Sequence, residues 1–161
     1  MTIGEYNNCV DNLSDGVYRF ILKNLKDTDV AHDIVQESFM KLWIKRKDVD
    51  AKKGKSYLFT TAYHTMIDYI RKNSRNTSIE GFEDFHGEAY NSYSDLKEIL
   101  DSAVDKLPEI QRSVLMLRDY EGYSYEEIGE ITNLNESQVK VYIYRARVFL
   151  KKFIVSPELV V

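Results

Sequence analysis

The sequence predicts an all-α protein: two small helical domains joined by a flexible acidic linker, the C-terminal one carrying a helix-turn-helix. Three observations lead there. Apolar residues recur at three- and four-residue spacing along most of the 161 residues, with only two prolines and seven glycines to interrupt helices. The charges are segregated along the chain. And the stretch YSYEEIGEITNLNESQVKVYIYRARVFLKK, residues 123–152, is a short helix pattern, a tight turn and a second helix whose charges are almost all positive.

The overall net charge of −4 conceals that segregation. Residues 41–75 hold ten Lys/Arg against three Asp/Glu, residues 76–110 hold two against nine, and residues 136–153 hold five against one. Two basic patches separated by an acidic strip suit a polyanion binder with two points of contact. The single cysteine, Cys9, cannot close an internal disulfide or build a metal site, which fits a reducing compartment. The polar start MTIGEYNNCVDNL does not read as a signal peptide, and no run approaches the roughly 20 apolar residues of a membrane span. A cytoplasmic protein without membrane insertion is expected.

The first helix is carried by Val10, Leu13, Val17, Phe20, Ile21 and Leu25. Asp27-Thr28-Asp29 offers caps for a second, near 29–45, which would bury Val30, Ile34, Val35, Ser38, Leu42 and Trp43. Its other face would expose the stripe Asp33, Gln36, Glu37, Met40 and Lys41. A basic loop, 47–55, leads to a third helix near 56–73 with Leu58, Ala62, Met66, Ile67 and Ile70 inward. Tyr57, Phe59, Tyr63, His64 and Tyr69 are interleaved, and Arg71, Lys72 and Arg75 follow; rings with cations on one helix are what single-stranded nucleic acid asks for. About half of these rings are expected to pack a core instead.

Residues 74–94, poor in periodicity and mostly acidic, read as linker. A helix near 95–107 would bury Leu96, Ile99, Leu100, Ala103, Val104 and Leu107. Pro108 suits a helix start, and the next helix carries Ile110, Val114, Leu115 and Leu117 inward. Ser124 with Glu127 forms a capping box signature, and Ile128 and Ile131 face in. Gly129 leaves room for close approach of another helix, Asn133 tolerates the left-handed turn, Leu134 plugs the angle, and Asn135 caps the last helix. Val139, Ile143, Ala146 and Leu150 would face in. Gln138, Lys140, Val141, Tyr142, Tyr144, Arg145 and Arg147 are left outside, where the N-terminal half can meet base edges in a major groove.

Two stretches resemble known sequences. LPEIQRSVLMLRDYEGYSYEEIGEITNLNESQVKVYIYRAR, residues 107–147, resembles the promoter-binding C-terminal domain of bacterial sigma factors. AHDIVQESFMKLW and SYLFTTAYHTMIDYIRK resemble the sigma domain that binds polymerase and melts the −10 element. Their order and spacing, without room for a further middle domain, resemble the extracytoplasmic-function (ECF) group of the sigma-70 family. The resemblance implies a domain at 1–75, a linker at 76–94 and a −35-binding domain at 95–161. It implies that Asp33, Gln36, Glu37, Met40 and Lys41 dock on the clamp helices of the largest polymerase subunit. It implies that Lys52, Lys53, Lys55, Tyr57, Phe59, Tyr63, His64, Arg71, Lys72 and Arg75 hold the melted −10 strand, and that the last helix reads the −35 element. A contact to the flap of the second-largest subunit and an anti-sigma partner are implied too. Tyr63-His64 replaces a common Arg-Asn of the family, Val141 a common serine, and Asn133 the usual turn glycine.

His32, His64 and His86 lack metal-ligand spacing, and no nucleophile triad, phosphate loop or carboxylate pair stands out, so neither an enzyme nor a cofactor is expected. The rival readings are a helix-turn-helix regulator acting alone on duplex DNA and a sigma-like decoy that titrates a partner.

Overall fold

The computed structural model describes residues 1–76 and 92–155, and among these every regular element is a helix. Residues 77–91 of the expected linker lie outside the described residues, as does the end of the chain after Val155, while 74–76 and 92–94, expected as linker, are helical. In chain order the helices are α1 (Ile3–Leu25), α2 (Thr28–Lys45), α3 (Gly54–Asn76), α4 (Ser92–Lys106), α5 (Glu109–Asp119), α6 (Tyr125–Thr132) and α7 (Glu136–Val155).

Local chemistry sets most boundaries. Thr2 and Glu5 form a capping box at the start of α1, and Lys26 ends it in the left-handed region at φ 59°. The Asp27 carboxylate accepts from the backbone N–H of Asp29 and Val30 at the start of α2. The basic loop is shaped by Asp50, which caps a single 3-10 turn, Ala51–Lys53. Gly54 then begins α3 because a side chain there would meet the Cys9 sulfur at 2.9 Å. Cys9 is accordingly a small buried contact between α1 and α3.

α1, α2 and α3 pack around Val17, Phe20, Ile21, Ala31, Ile34, Leu42, Leu58, Ala62 and Met66. α4 to α7 pack around Val114, Leu117, Ile128, Ile131, Val139 and Ile143, with a smaller cluster of Leu107, Leu115 and Ala146 under Phe149 and Leu150. The two groups are not separate cores. α1 lies against α5 and α3 against α6, and one apolar cluster runs through both halves. The seam is also hydrogen-bonded. Arg112, 8% exposed, donates from Nε to Asn24 Oδ1 at 2.8 Å and from NH1 to the carbonyls of Asp105 (3.1 Å) and Leu107 (3.2 Å). Burial pulls its guanidinium below its ordinary range, and the nearby carboxylates of Glu109 and Asp105 oppose that pull. Lys23 pairs with Asp105 at 3.0 Å across the same seam.

Two sequence expectations for the core are corrected. Trp43 is partly exposed (38%) and Phe39 takes the buried position on α2, because Phe39 rather than Trp43 falls on the line Val35–Leu42 that faces α1 and α3. Leu96 is 58% exposed, whereas Ala103 and Val104 further along α4 are buried.

Candidate nucleic-acid interface

The helix-turn-helix is built by short-range hydrogen bonds that the sequence signals closely. The Glu127 N–H donates to Ser124 Oγ at 3.1 Å, and the Ser124 N–H to Glu127 Oε1 at 3.0 Å. These bonds hold the Glu127 carboxyl below its ordinary value. Asn133 ends α6 at φ 60°, and a Cβ on Gly129 would stand 2.6 Å from the Leu134 carbonyl oxygen, so the close approach served by Gly129 is that of the turn's own backbone. A second reciprocal cap opens α7: the Gln138 N–H donates to Asn135 Oδ1 at 2.8 Å and the Asn135 N–H to Gln138 Oε1 at 3.0 Å. The Gln138 side chain, expected at the DNA, is therefore also engaged in fixing the start of α7.

From that start, Val139, Ile143 and Ala146 point into the core, and the residues between them point out. Tyr144 is 70% exposed and Val141 44%, and Lys140, Arg145 and Arg147 are exposed beside them. Tyr142 differs from expectation: it is half-buried against the core, three residues after Val139 and four before Ala146 on the same side of the helix. Lys140 is held by Glu136 at 3.4 Å, one turn earlier, and Arg147 by Asp119 at 2.7 Å, whereas Arg145 forms no ion pair with a described residue. Tyr125 carries two cations over its ring, Arg118 at 4.5 Å and Lys140 at 5.6 Å. The face thus offers a free guanidinium, an apolar Val/Tyr surface and pre-oriented cations.

α3 divides its candidates between two faces. His64, Arg71 and Lys72 share an exposed stripe with Asp68, and Lys52 and Lys53 are exposed in the turn before it. Tyr57 is half-buried. Phe59 and Tyr63 are corrected: they are 0% and 5% exposed, set against Phe20 at centroid distances of 5.7 and 6.5 Å, with Phe59 also edge-on to Tyr123 of the helix-turn-helix half at 5.7 Å. Burial pushes the Tyr63 phenol well above its ordinary range. Spaced four apart with Phe59 next to Leu58, they belong to the inward stripe of α3. Lys55 reaches across the seam, donating to the Glu121 carbonyl at 3.0 Å with the Glu121 carboxylate at 3.7 Å. The side chain of Arg75 lies outside what the structure describes.

On α2, Asp33, Gln36, Met40 and Lys41 are exposed and Glu37 half-buried, paired to Lys41 at 3.3 Å. Sequence reasoning missed what lies beside that stripe: a shallow apolar groove between α1 and α2 lined by Tyr6, Val10, Val35, Phe39, Met40 and Trp43. Tyr6 and Trp43 meet edge-on at 5.0 Å, and Arg46 covers the Trp43 ring at 3.8 Å. The exposed apolar Met40 and Trp43 on a helix rich in charge were the available signal. Among the described residues no group of His, Cys, Asp and Glu is placed to hold a metal ion, and no helix is long and apolar enough to cross a membrane.

Comparison with known proteins follows the same two halves. The family model for sigma-70 region 2 matches residues 9–76, and that for sigma-70 region 4 matches residues 97–150. The ECF RNA polymerase sigma factor SigM of Bacillus subtilis (strain 168) is 33% identical over 142 residues, covering 84% of this chain and 86% of its own. The RNA polymerase sigma factor SigV of the same organism is 33% identical over 141 residues, covering 86% and 84%. Among solved structures, the sigma factor RpoE in complex with the anti-sigma factor NepR from Bartonella quintana matches with a TM-score of 0.76 at 23% identity, over 97% of this chain and 99% of that one. CnrH in complex with the cytosolic domain of CnrY matches with a TM-score of 0.67 at 20% identity, over 94% and 88%.

Proposed function

This chain belongs to the sigma-70 family as an ECF sigma factor, and from that premise we propose which of its surfaces perform each step of initiation. A sigma factor binds core RNA polymerase, recognises the −35 and −10 promoter elements and promotes melting so that a specific regulon is transcribed. The observation that carries the residue assignment is the open face of α7, where Arg145 stands exposed beside Val141 and Tyr144. A guanidinium matches the two major-groove acceptors of guanine, and the Val/Tyr surface matches thymine methyl groups. Lys140, Arg147 and the cations over Tyr125 would hold phosphates and set the register. Gln138 and Tyr142 stand at the edge of this face.

The −10 strand falls to the first half. The exposed Lys52, Lys53, His64, Arg71 and Lys72 would track its backbone, and Arg75 continues their spacing in sequence. Extruding a base costs a few kcal/mol, which a stacking surface must offset. Lys55, Tyr57, Phe59 and Tyr63 are the groups around which such a pocket would form, and Phe59 and Tyr63, which are buried, become available only when the packing over them opens. The α2 stripe, together with the apolar groove beside Met40 and Trp43, would dock on the clamp helices of the largest polymerase subunit. The second half would touch the flap of the second-largest subunit. The proposed division is 1–75, 76–94 and 95–161, with the acidic segment between the DNA-binding halves. Action in the cytoplasm and control by an anti-sigma factor complete the reading; likeness to two proteins solved in complexes, one of them with an anti-sigma factor, supports the latter. Neither an enzymatic activity nor a cofactor forms part of it.

Replacing both Gln36 and Glu37 by alanine tests the docking assignment. Co-purification of core polymerase with the double variant is expected to fall clearly while the circular dichroism spectrum is unchanged. Undiminished co-purification would remove the stripe from the interface.

A further inference from the structure

A cavity of about 870 Å³ is lined by residues of α1, α4 and α5, and it belongs to none of the surfaces assigned above. Small-molecule sites typically have this size and favour the junctions between domains. Its α1 wall is Gly16, Arg19, Phe20, Lys23 and Lys26, spaced three and four apart on one face. Phe20 and Met116, 1% and 4% exposed, give it an apolar base. Tyr120 lines it as well and is left 54% exposed. The charges along the walls are unevenly matched. Lys23 pairs with Asp105 at 3.0 Å and reaches Asp101 only at 4.0 Å, so the Asp101 carboxylate, its side chain 49% exposed, keeps free lone pairs. Glu121 is taken by Lys55 at 3.7 Å. Arg19 and Lys26, one before and one after Lys23 in the chain, are exposed and form no ion pair with a described residue. The cavity therefore offers two spare cations, a spare carboxylate, an open aromatic ring and an apolar base.

We propose that this cavity binds a nucleoside diphosphate whose base is guanine. Arg19 and Lys26 supply the positive charge that a phosphate chain needs. Tyr120 gives the base a face to stack on, above Phe20 and Met116. Asp101 selects the base. An ionised carboxylate only accepts hydrogen bonds, and the Watson–Crick edge of guanine presents two adjacent donors, N1–H and N2–H. The same edge of adenine puts an acceptor, N1, where the carboxylate would meet it. Burial and the nearby carboxylates of Asp101, Asp119 and Asp105 push the Tyr120 phenol above its ordinary value, so the ring beside Asp101 stays uncharged. The walls come from α1 on one side and from α4 and α5 on the other. A nucleotide seated between them stabilises the packed arrangement by mass action, so the chain would answer to the supply of a small metabolite. This inference does not rest on the DNA and polymerase assignments.

The test is isothermal titration calorimetry of the full-length chain with guanosine 5′-diphosphate, without divalent metal. Adenosine 5′-diphosphate and inorganic pyrophosphate serve as comparisons. One saturable site is expected for the guanine nucleotide, with the adenine nucleotide about tenfold weaker and pyrophosphate, which has no ring to stack, weaker still. Arg19→Ala and Tyr120→Ala alter exposed side chains, and each is expected to weaken binding about tenfold. Asp101→Asn is expected to erase most of the preference for guanine. Equal binding of both nucleotides and pyrophosphate would mean that the cations attract any anion, and would overturn the proposal. Binding that Arg19→Ala and Tyr120→Ala leave unchanged would place the nucleotide elsewhere and overturn it too. No binding at about 1 mM nucleotide, by a chain that circular dichroism shows to be folded, would do the same.

Discussion

α3 and α7 have similar inventories, tyrosines and other rings interleaved with Lys and Arg, yet they use them in opposite ways. On α7 Tyr144 and Val141 face solvent, the core being served by Val139, Ile143 and Ala146. On α3 Phe59 and Tyr63 are buried, and the exposed stripe is polar: His64, Asp68, Arg71 and Lys72. The difference lies in what packs on each helix. α7 has one buried face and one left free. α3 has α1 and α2 on one side and α6 on another, so its rings sit where two halves of the molecule meet. The same residue types thus make one open surface and one covered one, and the cover comes from Phe20 and Tyr123, far from Phe59 in the chain.

The sharpest way to break this comparison is to remove the ring on which the covered face rests. Phe20→Ala deletes the side chain that both Phe59 and Tyr63 touch, and is expected to destabilise the chain by about 3–5 kcal/mol. Because one cluster runs through both halves, urea unfolding followed by circular dichroism and by tyrosine fluorescence should still show one shared transition, shifted down. Two separated transitions in the parent would mean that the halves do not share a core. Next comes Arg112→Met, which removes the charged donor to Asn24 Oδ1 and to the carbonyls of Asp105 and Leu107. Charged hydrogen bonds of this kind put the loss at roughly 2–3 kcal/mol in the same urea titration. A neutral result would show that the seam is not held there.

On the open face the effect should be in binding alone. Arg145→Ala is expected to weaken −35 recognition by about 1–3 kcal/mol in a footprinting titration with holoenzyme, while stability changes by less than about 0.5 kcal/mol. Equal affinity in the folded variant would take Arg145 out of the reading surface. The smallest expected effect is a pH dependence of the helix-turn-helix. Hydrogen bonds from Ser124 hold the folded Glu127 carboxyl below its ordinary 4.5. A group with a depressed folded value stabilises fully above the unfolded value, and that contribution is lost as pH falls through the folded one. Thermal stability should therefore decline below about pH 4.5, and Glu127→Gln should flatten that part of the profile.

Much of the second half was legible in the sequence because its signals are local. Ser124 with Glu127, Asn133 and Asn135 fix caps and a turn within a few residues of themselves, and the structure has each of them. The helices and most inward stripes were legible for the same reason. What was not legible depends on distant partners. Nothing near Phe59 or Tyr63 tells that Phe20 and Tyr123 will cover them. Trp43 and Phe39 are four apart on one helix, and only the placement of α1 and α3 decides that Phe39 is the buried one. The groove along Tyr6, Val10 and Trp43 escaped because it joins two helices, neither of which shows it alone. Gln138 was legible as an exposed residue and not as the partner of Asn135, since an outward glutamine and a capping one share the same spacing.

The most direct measurement is in vitro transcription with core polymerase free of any sigma factor, on genomic DNA fragments, with the parent chain and with Arg145→Ala. Transcripts that begin at discrete sites only when the parent chain is present, and that weaken with the variant in proportion to the −35 match of each promoter, are the predicted result. Duplex binding by the chain alone without any polymerase-dependent transcript would contradict it and point to a regulator. A tight complex with core polymerase that starts no transcript would contradict it as well and point to a decoy.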